Sequence, residues 1–113
     1  MPSYATRSLD SGVVVISPQG RLNMVSAPGL RAHLHELVES GSARIVVDLS
    51  GIEFIDSSGL GVLISGLKIA RQAGGDLRIA APSLQVETVL ELTNLNRVLR
   101  AYSSSNEAFE DER

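Results

Sequence analysis

Short β-branched runs alternate with longer stretches of helical spacing along the chain. Residues 13–16 and 45–47 are continuous runs of Val and Ile next to Asp, Ser and Gly residues, and they predict two buried strands. Residues 4–9 precede the first run across a turn at 10–12, so the two segments predict a hairpin. Residues 18–20, Pro-Gln-Gly, predict the end of the first strand or a bulge in it.

Three stretches with apolar residues at three- and four-residue spacing predict helices. The first has Ser26 as its expected N-cap and stops at Gly41. The second begins at residues 56–58, which offer three candidate caps, and ends at about Ala73, before two glycines. The apolar positions that define the buried face of the first helix are Leu30, Leu34, Leu37 and Val38, and those of the second are Leu60, Leu63, Ile64 and Leu67. Val86, Val89 and Leu90 predict a short third helix.

The rest of the chain predicts two more strands and a last helix. After the 45–47 strand a turn brings Ile52 and Phe54, which alternate with Glu53, and residues 77–79 and 98–102 predict the two further strands. Residues 103–110 predict a short helix held by Phe109. Strands that alternate with helices after a hairpin imply an α/β fold, with a mixed sheet of four to five strands and about four helices. Without an internal repeat or linker, we expect a single domain that spans all 113 residues.

Composition narrows the kind of core and the kinds of site. Of the 113 residues, 43% are hydrophobic but only 4% are aromatic, so we expect an aliphatic core. There is no cysteine, which excludes disulfides and thiolate metal sites and agrees with a reducing cytoplasm. The net charge is −3, with acids and bases interleaved. Because no basic stripe is present, nucleic acid is not an expected partner.

Neither a membrane segment nor a metal site is expected from the sequence. No apolar run approaches the about 20 residues that a bilayer-spanning helix needs, and the N-terminus lacks the pattern of a secretory leader. We therefore expect a cytoplasmic protein. The two histidines, His33 and His35, lie two positions apart in the first predicted helix and diverge from each other. We expect no bound metal and no cofactor.

The strongest chemical signal is the start of the second predicted helix, Asp56-Ser57-Ser58-Gly59. A helix start leaves backbone N–H groups without partners and favours negative charge, so an anion can rest there. A purely structural cap is one interpretation, because serine is a preferred capping residue. One cap needs a single oxygen, however, and Gly59 and Gly61 each lower helix propensity by about 1 kcal/mol relative to alanine. We interpret the two glycines as room for the close approach of another protein or a nucleotide.

Three more specific motifs fail in this segment, each at a defining residue. Gly59-Leu60-Gly61 begins a dinucleotide fingerprint, but Ile64 replaces its third glycine, and Leu67 stands where a P-loop needs lysine. Ser57 lacks the preceding glycine of a nucleophile elbow, and no histidine follows it in the chain to act as a base. We expect no catalytic residue and no enzyme activity.

Residues 52–63, Ile-Glu-Phe-Ile-Asp-Ser-Ser-Gly-Leu-Gly-Val-Leu, closely resemble the signature of bacterial anti-sigma factor antagonists. These proteins are single-domain members of the STAS fold, which is named for sulfate transporters and anti-sigma factor antagonists. Weaker similarities occur at residues 20–28, 74–77 and 92–95, so the resemblance covers nearly the whole chain.

The resemblance implies a phosphorylation switch, with Ser57 as the phosphate acceptor and Ser58 as a less favoured alternative. The unphosphorylated protein would bind an anti-sigma factor that is itself a serine kinase, and the sigma factor would be released. Phosphorylation would end this binding, and a metal-dependent serine phosphatase would restore it. We expect a monomer or a weak dimer. The residues that the resemblance implies in partner binding are Arg21, Asn23, Ser26, Asp56, Ser58, Gly59, Leu60 and Gly61.

This chain departs from the family's pattern in one corner. The family commonly carries acids where this chain has Arg21 and Asn23, so the charge of the corner is shifted towards positive. The alternative to a switch is a constant role as a scaffold or accessory subunit, because related domains serve in transporters and in stress-signalling complexes.

Overall fold

The computed structural model describes residues 5–9 and 11–109 of the chain. This part contains seven β-strands, three α-helices and two single-turn 3₁₀ helices. The strands are β1 (Ala5–Ser8), β2 (Val14–Ser17), β3 (Gly20–Leu22), β4 (Arg44–Asp48), β5 (Ile52–Ile55), β6 (Asp76–Ala80) and β7 (Ala101–Tyr102). The α-helices are α1 (Ala27–Glu39), α2 (Ser57–Gln72) and α3 (Leu84–Leu92), and the 3₁₀ helices are Leu95–Arg97 and Ser105–Glu107.

Five of the strands form a mixed sheet in the order β1-β2-β4-β6-β7. β1 is antiparallel to β2, with Thr6 opposite Ile16, and the other neighbours in this sheet are parallel. The predicted mixed sheet is therefore confirmed, and so is the hairpin over its described residues. Tyr4 and Asp10, which the hairpin prediction included, lie outside the described residues.

A second, two-stranded sheet was not predicted. The first strand does end before residues 18–20, but the chain then forms β3, which pairs in parallel with β5. Gly20 begins β3 with φ at 88°, a left-handed backbone angle that favours glycine. This small sheet positions the candidate site, because α1 follows β3 after a short corner and α2 follows β5 directly.

The predicted C-terminal elements are shorter in the structure. The strand predicted over 98–102 is only β7, because the 3₁₀ helix before it leaves Val98 with helical backbone angles. The helix predicted over 103–110 is a single 3₁₀ turn within the described residues, and Glu110 lies outside them. The described part thus has three α-helices where about four helices were predicted.

The principal core lies between the main sheet and the three α-helices, and all of its buried residues are aliphatic, as composition predicted. Side chains alternate across β4, so that Ile45 and Val47 face this core while Val46 faces the opposite side of the sheet. The largest fully buried side chains are Ile16, Leu22, Leu30, Leu34, Ile45, Leu49, Ile52, Ile55, Leu63, Leu77, Ile79 and Leu90.

The opposite face of the sheet is closed by the segment that follows β7. Phe109 is 5% exposed and packs there, which confirms the prediction that it pins this segment. The guanidinium of Arg78 lies 4.2 Å from the centre of the Phe109 ring. It donates to Asp76 Oδ2 at 3.1 Å and to the carbonyl oxygen of Ala108 at 2.8 Å, so this buried cation is paired on several sides.

Candidate functional site

The backbone that leads into α2 is held by two neighbouring elements. The N–H of Asp56 donates to the carbonyl oxygen of Leu22 in β3 at 3.2 Å. The side-chain amide of Gln85 in α3 pairs with Ile55, accepting from its N–H at 3.1 Å and donating to its carbonyl oxygen at 3.5 Å. Gln85 thus satisfies the free edge of β5 at the residue just before the turn.

Of the three candidate caps of α2, the structure selects Asp56. Its Oδ1 accepts from the N–H groups of Ser58 at 2.9 Å and Gly59 at 3.2 Å. The two serine hydroxyls therefore have no capping role at this helix start. Two of the N–H groups that could have received an external anion are already occupied by the protein's own carboxylate.

Ser57 is the first residue of α2 and its side chain is exposed, whereas Ser58 is half-buried. This confirms the prediction that Ser57 stands at a helix N-terminus and faces solvent. Among residues 5–9 and 11–109, no side chain or backbone group forms a hydrogen bond with the Ser57 hydroxyl. The hydroxyl is free to react or to contact another protein.

The corner between β3 and α1 is held by its own side chains. Ser26 Oγ accepts from the N–H of Asn23 at 3.1 Å and donates to the carbonyl oxygen of Arg21 at 2.7 Å. Asn23 Oδ1 accepts from the N–H groups of Val25 at 3.0 Å and Ser26 at 3.3 Å. Ser26 is the N-cap residue of α1, as predicted, but its side chain makes no cap hydrogen bond because its oxygen turns back into the corner.

This corner presents two apolar side chains to solvent. Met24 is 73% exposed and Val25 is 85% exposed, and both lie in the tip that the Asn23 and Ser26 hydrogen bonds hold. Arg21, also exposed, lies with its guanidinium 5.1 Å from the centre of the Phe54 ring. An ordered, exposed apolar tip next to Ser57 has the character of a contact surface rather than of a core.

A groove of about 350 Å³ separates the start of α1 from the start of α2. We refer to it as the α1–α2 groove. Its lining contains one basic residue, Arg31, and no acidic residue. The residues that line it are Met24, Ala27, Pro28, Arg31, Ser57, Ser58, Gly61 and Val62.

The structure divides the residues that were implied in partner binding. Gly59 is buried, and a Cβ placed on it would lie 2.6 Å from the carbonyl oxygen of Leu22 and 2.8 Å from Ile55 Cγ1. Its absence of a side chain thus serves internal packing, and the interpretation of Gly59 as room for a partner is wrong. Leu60, at 6% exposed, packs in the principal core. A Cβ on Gly61 would meet no atom within 4 Å, so this glycine does leave open space beside the groove.

The remaining predicted residues lie in the β3–α1 corner and at the start of α2. Arg21 and Gly61 are exposed, while Asn23, Ser26, Asp56 and Ser58 are half-buried. Sequence reasoning missed Met24, Val25, Arg31 and Gln85 as parts of this region. The pair Met24-Val25 carried a usable signal, since two adjacent apolar residues between Asn23 and Ser26 fit neither a strand nor the helix pattern.

The two histidines lie away from this site's chemistry. His33 Nε2 is 3.3 Å from Thr6 Oγ1, across the α1–β1 contact, and His35 is half-buried. Over the described residues, no three His, Cys, Asp or Glu side chains are grouped closely enough to hold a metal ion. Nor is any helix in that part of the chain both long enough and apolar enough to cross a membrane.

Comparisons with known proteins agree on one family. A family model described as the STAS domain matches residues 4–108. A Thermotoga maritima protein, provisionally named an anti-sigma factor antagonist, is 36% identical over 102 residues, which is 89% of this chain and 90% of that protein. The anti-sigma-B factor antagonist of Bacillus subtilis is 29% identical over 86 residues, or 76% of this chain and 78% of that protein.

The fold leads to the same group of proteins. A crystal structure of a Thermotoga maritima protein with the same provisional name has a TM-score of 0.89 and 34% sequence identity to this chain. The superposition covers 97% of this chain and 95% of the other. The likeness in sequence and in structure therefore extends over most of the length of each protein.

Proposed function

The chain belongs to the STAS domain family, and on this premise we propose that it is an anti-sigma factor antagonist that acts by partner switching. In its unphosphorylated form it binds an anti-sigma factor that is also a serine kinase, and the sigma factor is released. The observation that carries the proposal is the exposed Ser57 hydroxyl, which has no described hydrogen-bond partner and opens onto the α1–α2 groove. The general role is supported by the relatives described above, which are named as anti-sigma factor antagonists, provisionally in the case of the Thermotoga maritima protein.

The proposed chemistry takes place on Ser57 and is performed by other proteins. The kinase transfers the γ-phosphoryl group of ATP to Ser57 Oγ and releases ADP. A metal-dependent serine phosphatase later hydrolyses the phosphate ester with water, which returns the serine and inorganic phosphate. This division agrees with the sequence, in which no histidine follows Ser57 to serve as its base.

We place the partner-binding surface on the exposed and half-buried side chains around Ser57. Met24 and Val25 supply the apolar part of this surface, and Arg21, Asn23, Ser26, Asp56, Ser58 and Gly61 supply its polar surroundings. Apolar anchors surrounded by polar groups are the usual arrangement of protein–protein contacts. Gly59 and Leu60 support this surface from inside.

Phosphorylation would abolish binding through charge and desolvation. It adds about −1.5 to −2 charges and three acceptor oxygens to Ser57. Because Asp56 already occupies the N–H groups of Ser58 and Gly59, the helix start has little left with which to neutralise them. A partner surface that fits a hydroxyl would have to desolvate this anion. A loss of about 3 kcal/mol weakens binding more than a hundredfold.

The test is a screen against the kinase-type anti-sigma factors of the host, each incubated with the chain in the presence and absence of ATP. Calorimetry measures complex formation, and mass spectrometry locates the phosphate. We expect one of them to bind without ATP and to phosphorylate Ser57. Ser57→Ala should bind and resist phosphorylation, while the matched control Ser58→Ala should still be phosphorylated. If the chain binds none of them, or if Ser58 takes the phosphate in the wild type, the proposed switch at Ser57 is wrong.

A further inference from the structure

Ser57 and Arg31 line the same groove from different helices. Ser57 belongs to the first turn of α2, and Arg31 belongs to α1, one turn beyond Pro28. The space between them, about 350 Å³, is near the lower end of the range of about 300–1,000 Å³ that small-molecule sites occupy. Both side chains thus border one small, open space.

Arg31 is exposed and carries a charge that nothing in the groove neutralises. No hydrogen bond or ion pair to its side chain occurs among residues 5–9 and 11–109. The groove lining contains no carboxylate. A guanidinium offers two parallel N–H donors that match a phosphate or a carboxylate, so an unpaired arginine in this position is ready to receive an anion.

A phosphate on Ser57 would need such a cation. The N–H groups of Ser58 and Gly59 are held by Asp56, whose carboxylate would also stand next to the phosphate as a like charge. Arg21 is a less suitable counter-charge, because its guanidinium lies over the Phe54 ring and it does not line the groove. The groove therefore leaves Arg31 as the cation that faces phosphorylated Ser57.

We propose that Arg31 is the residue that receives the phosphate of phosphorylated Ser57, and that this pairing places the arginine side chain across the α1–α2 groove. The inference rests on the proposed phosphorylation of Ser57 and adds how the chain itself responds to it. In the unphosphorylated chain the groove is open between Met24 and Gly61. In the phosphorylated chain the ion pair bridges its walls, so phosphorylation changes the shape of the surface as well as its charge.

The proposal also distinguishes phosphoserine from aspartate at position 57. Aspartate is shorter than phosphoserine and carries about one charge where the phosphate carries about −1.5 to −2. It therefore spans the groove to Arg31 less well. Ser57→Asp should accordingly reproduce only part of the loss of partner affinity that phosphorylation causes.

The first experiment needs no partner. Phosphoserine is incorporated at position 57 of the full chain, and ³¹P NMR follows its second ionisation, whose pKa is ordinarily about 6. Arg31→Gln should raise this pKa by about 0.3–0.6 units, because an exposed ion pair that favours the dianion is lost. Arg31→Lys should restore part of the shift, and the matched control Arg97→Gln, an exposed arginine outside the groove, should leave the pKa unchanged. A pKa that is the same in Arg31→Gln and the parent chain would overturn the proposal.

The second experiment uses the kinase-type anti-sigma factor that binds the wild-type chain in the screen described above. The measured quantity is the ratio of the affinities of the unphosphorylated and phosphorylated chains. We expect Arg31→Gln to reduce this ratio by roughly threefold or more relative to wild type. An unchanged ratio would overturn the proposal while leaving the switch at Ser57 intact. If no such kinase phosphorylates Ser57, the proposed function fails instead, and the ³¹P titration still decides whether Arg31 receives the phosphate.

Discussion

The face of the sheet closed by the C-terminal segment and the α1–α2 groove each combine an arginine with apolar side chains. On the closed face, Arg78 is 5% exposed, pairs with Asp76, donates to the Ala108 carbonyl and lies against the Phe109 ring. In the groove, Arg31 is exposed and the described residues give it no partner. A buried charge is tolerated only when it is paired, and a paired charge has little left to offer a ligand. The first region is therefore built for stability, and the second keeps its charge and its apolar tip available for contact.

The largest effect should come from opening the closed face. Phe109→Ala removes a buried ring from the closed face of the sheet and uncovers Arg78. We therefore expect the free energy of unfolding to fall by about 3 kcal/mol. Chemical denaturation measures this loss. The matched control is Met24→Ala, at an exposed apolar residue of the other region, which should change stability by less than about 0.5 kcal/mol. Equal losses in the two variants would remove the contrast between the regions.

The two glycines of the α2 start should separate packing from contact. Gly59→Ala places a methyl group against the backbone oxygen of Leu22, which cannot move aside as a side chain can, so we expect a loss of about 1–3 kcal/mol. Gly61→Ala meets no neighbour and should stabilise the helix by up to about 1 kcal/mol. Thermal melting of both variants checks this. A stable Gly59→Ala chain would mean that Gly59 does not serve internal packing.

The exposed tip should matter for binding and not for folding. Val25→Ala truncates an 85% exposed side chain. We expect it to weaken binding to the kinase-type anti-sigma factor by roughly tenfold, about 1.4 kcal/mol. Leu84→Ala is the matched control, because Leu84 is 78% exposed on α3 and lies outside the groove. Calorimetric titration of both variants measures the difference. Equal affinities would exclude the tip from the contact surface.

The polar side of the same corner should tune the rate of association. Arg21→Glu together with Asn23→Asp changes the local charge, while an aspartate at 23 keeps the acceptor oxygen that holds Val25 and Ser26. We expect the association rate constant to change severalfold at low salt, with a smaller change at high salt, because charges at an interface rim act mainly on encounter. Stopped-flow binding at two ionic strengths is the measurement. If the double variant and the wild type have the same association rate constant at low salt, this corner is not part of the binding surface.

The smallest effect is expected at the histidines. His33→Gln with His35→Gln should leave partner affinity within about threefold, because neither side chain lines the groove and a mutation away from a site is usually near neutral. Circular dichroism establishes that the double variant is folded before its affinity is measured. Loss of binding by a folded double variant would show that the site extends along α1.

Local sequence patterns predicted most of the secondary structure and the position of Ser57. The β-branched runs predicted β2 and β4, the apolar spacing predicted α1 and α2, and the candidate caps at 56–58 predicted that Ser57 lies at a helix start. These signals are local, since a strand's alternation, a helix's periodicity and a capping residue each act within a few positions. Residues 52–63, which include the start of this helix, also carried the family resemblance. The candidate site could therefore be located from the sequence before the fold was known.

The tertiary structure decided what lies across from each of these residues. Asp56 and not a serine caps α2. Gly59 must lack a side chain because the backbone oxygen of Leu22, a residue distant in sequence, packs against it. Gln85 reaches Ile55 from thirty residues away. The pairing of β3 with β5 brings the corner beside the α2 start, so that Arg31 borders the groove of Ser57. Sequence patterns report which face of an element is apolar, but only packing determines which elements meet. The identity of the cap, the role of each glycine and the cation that shares the groove with Ser57 all depend on how the elements pack together.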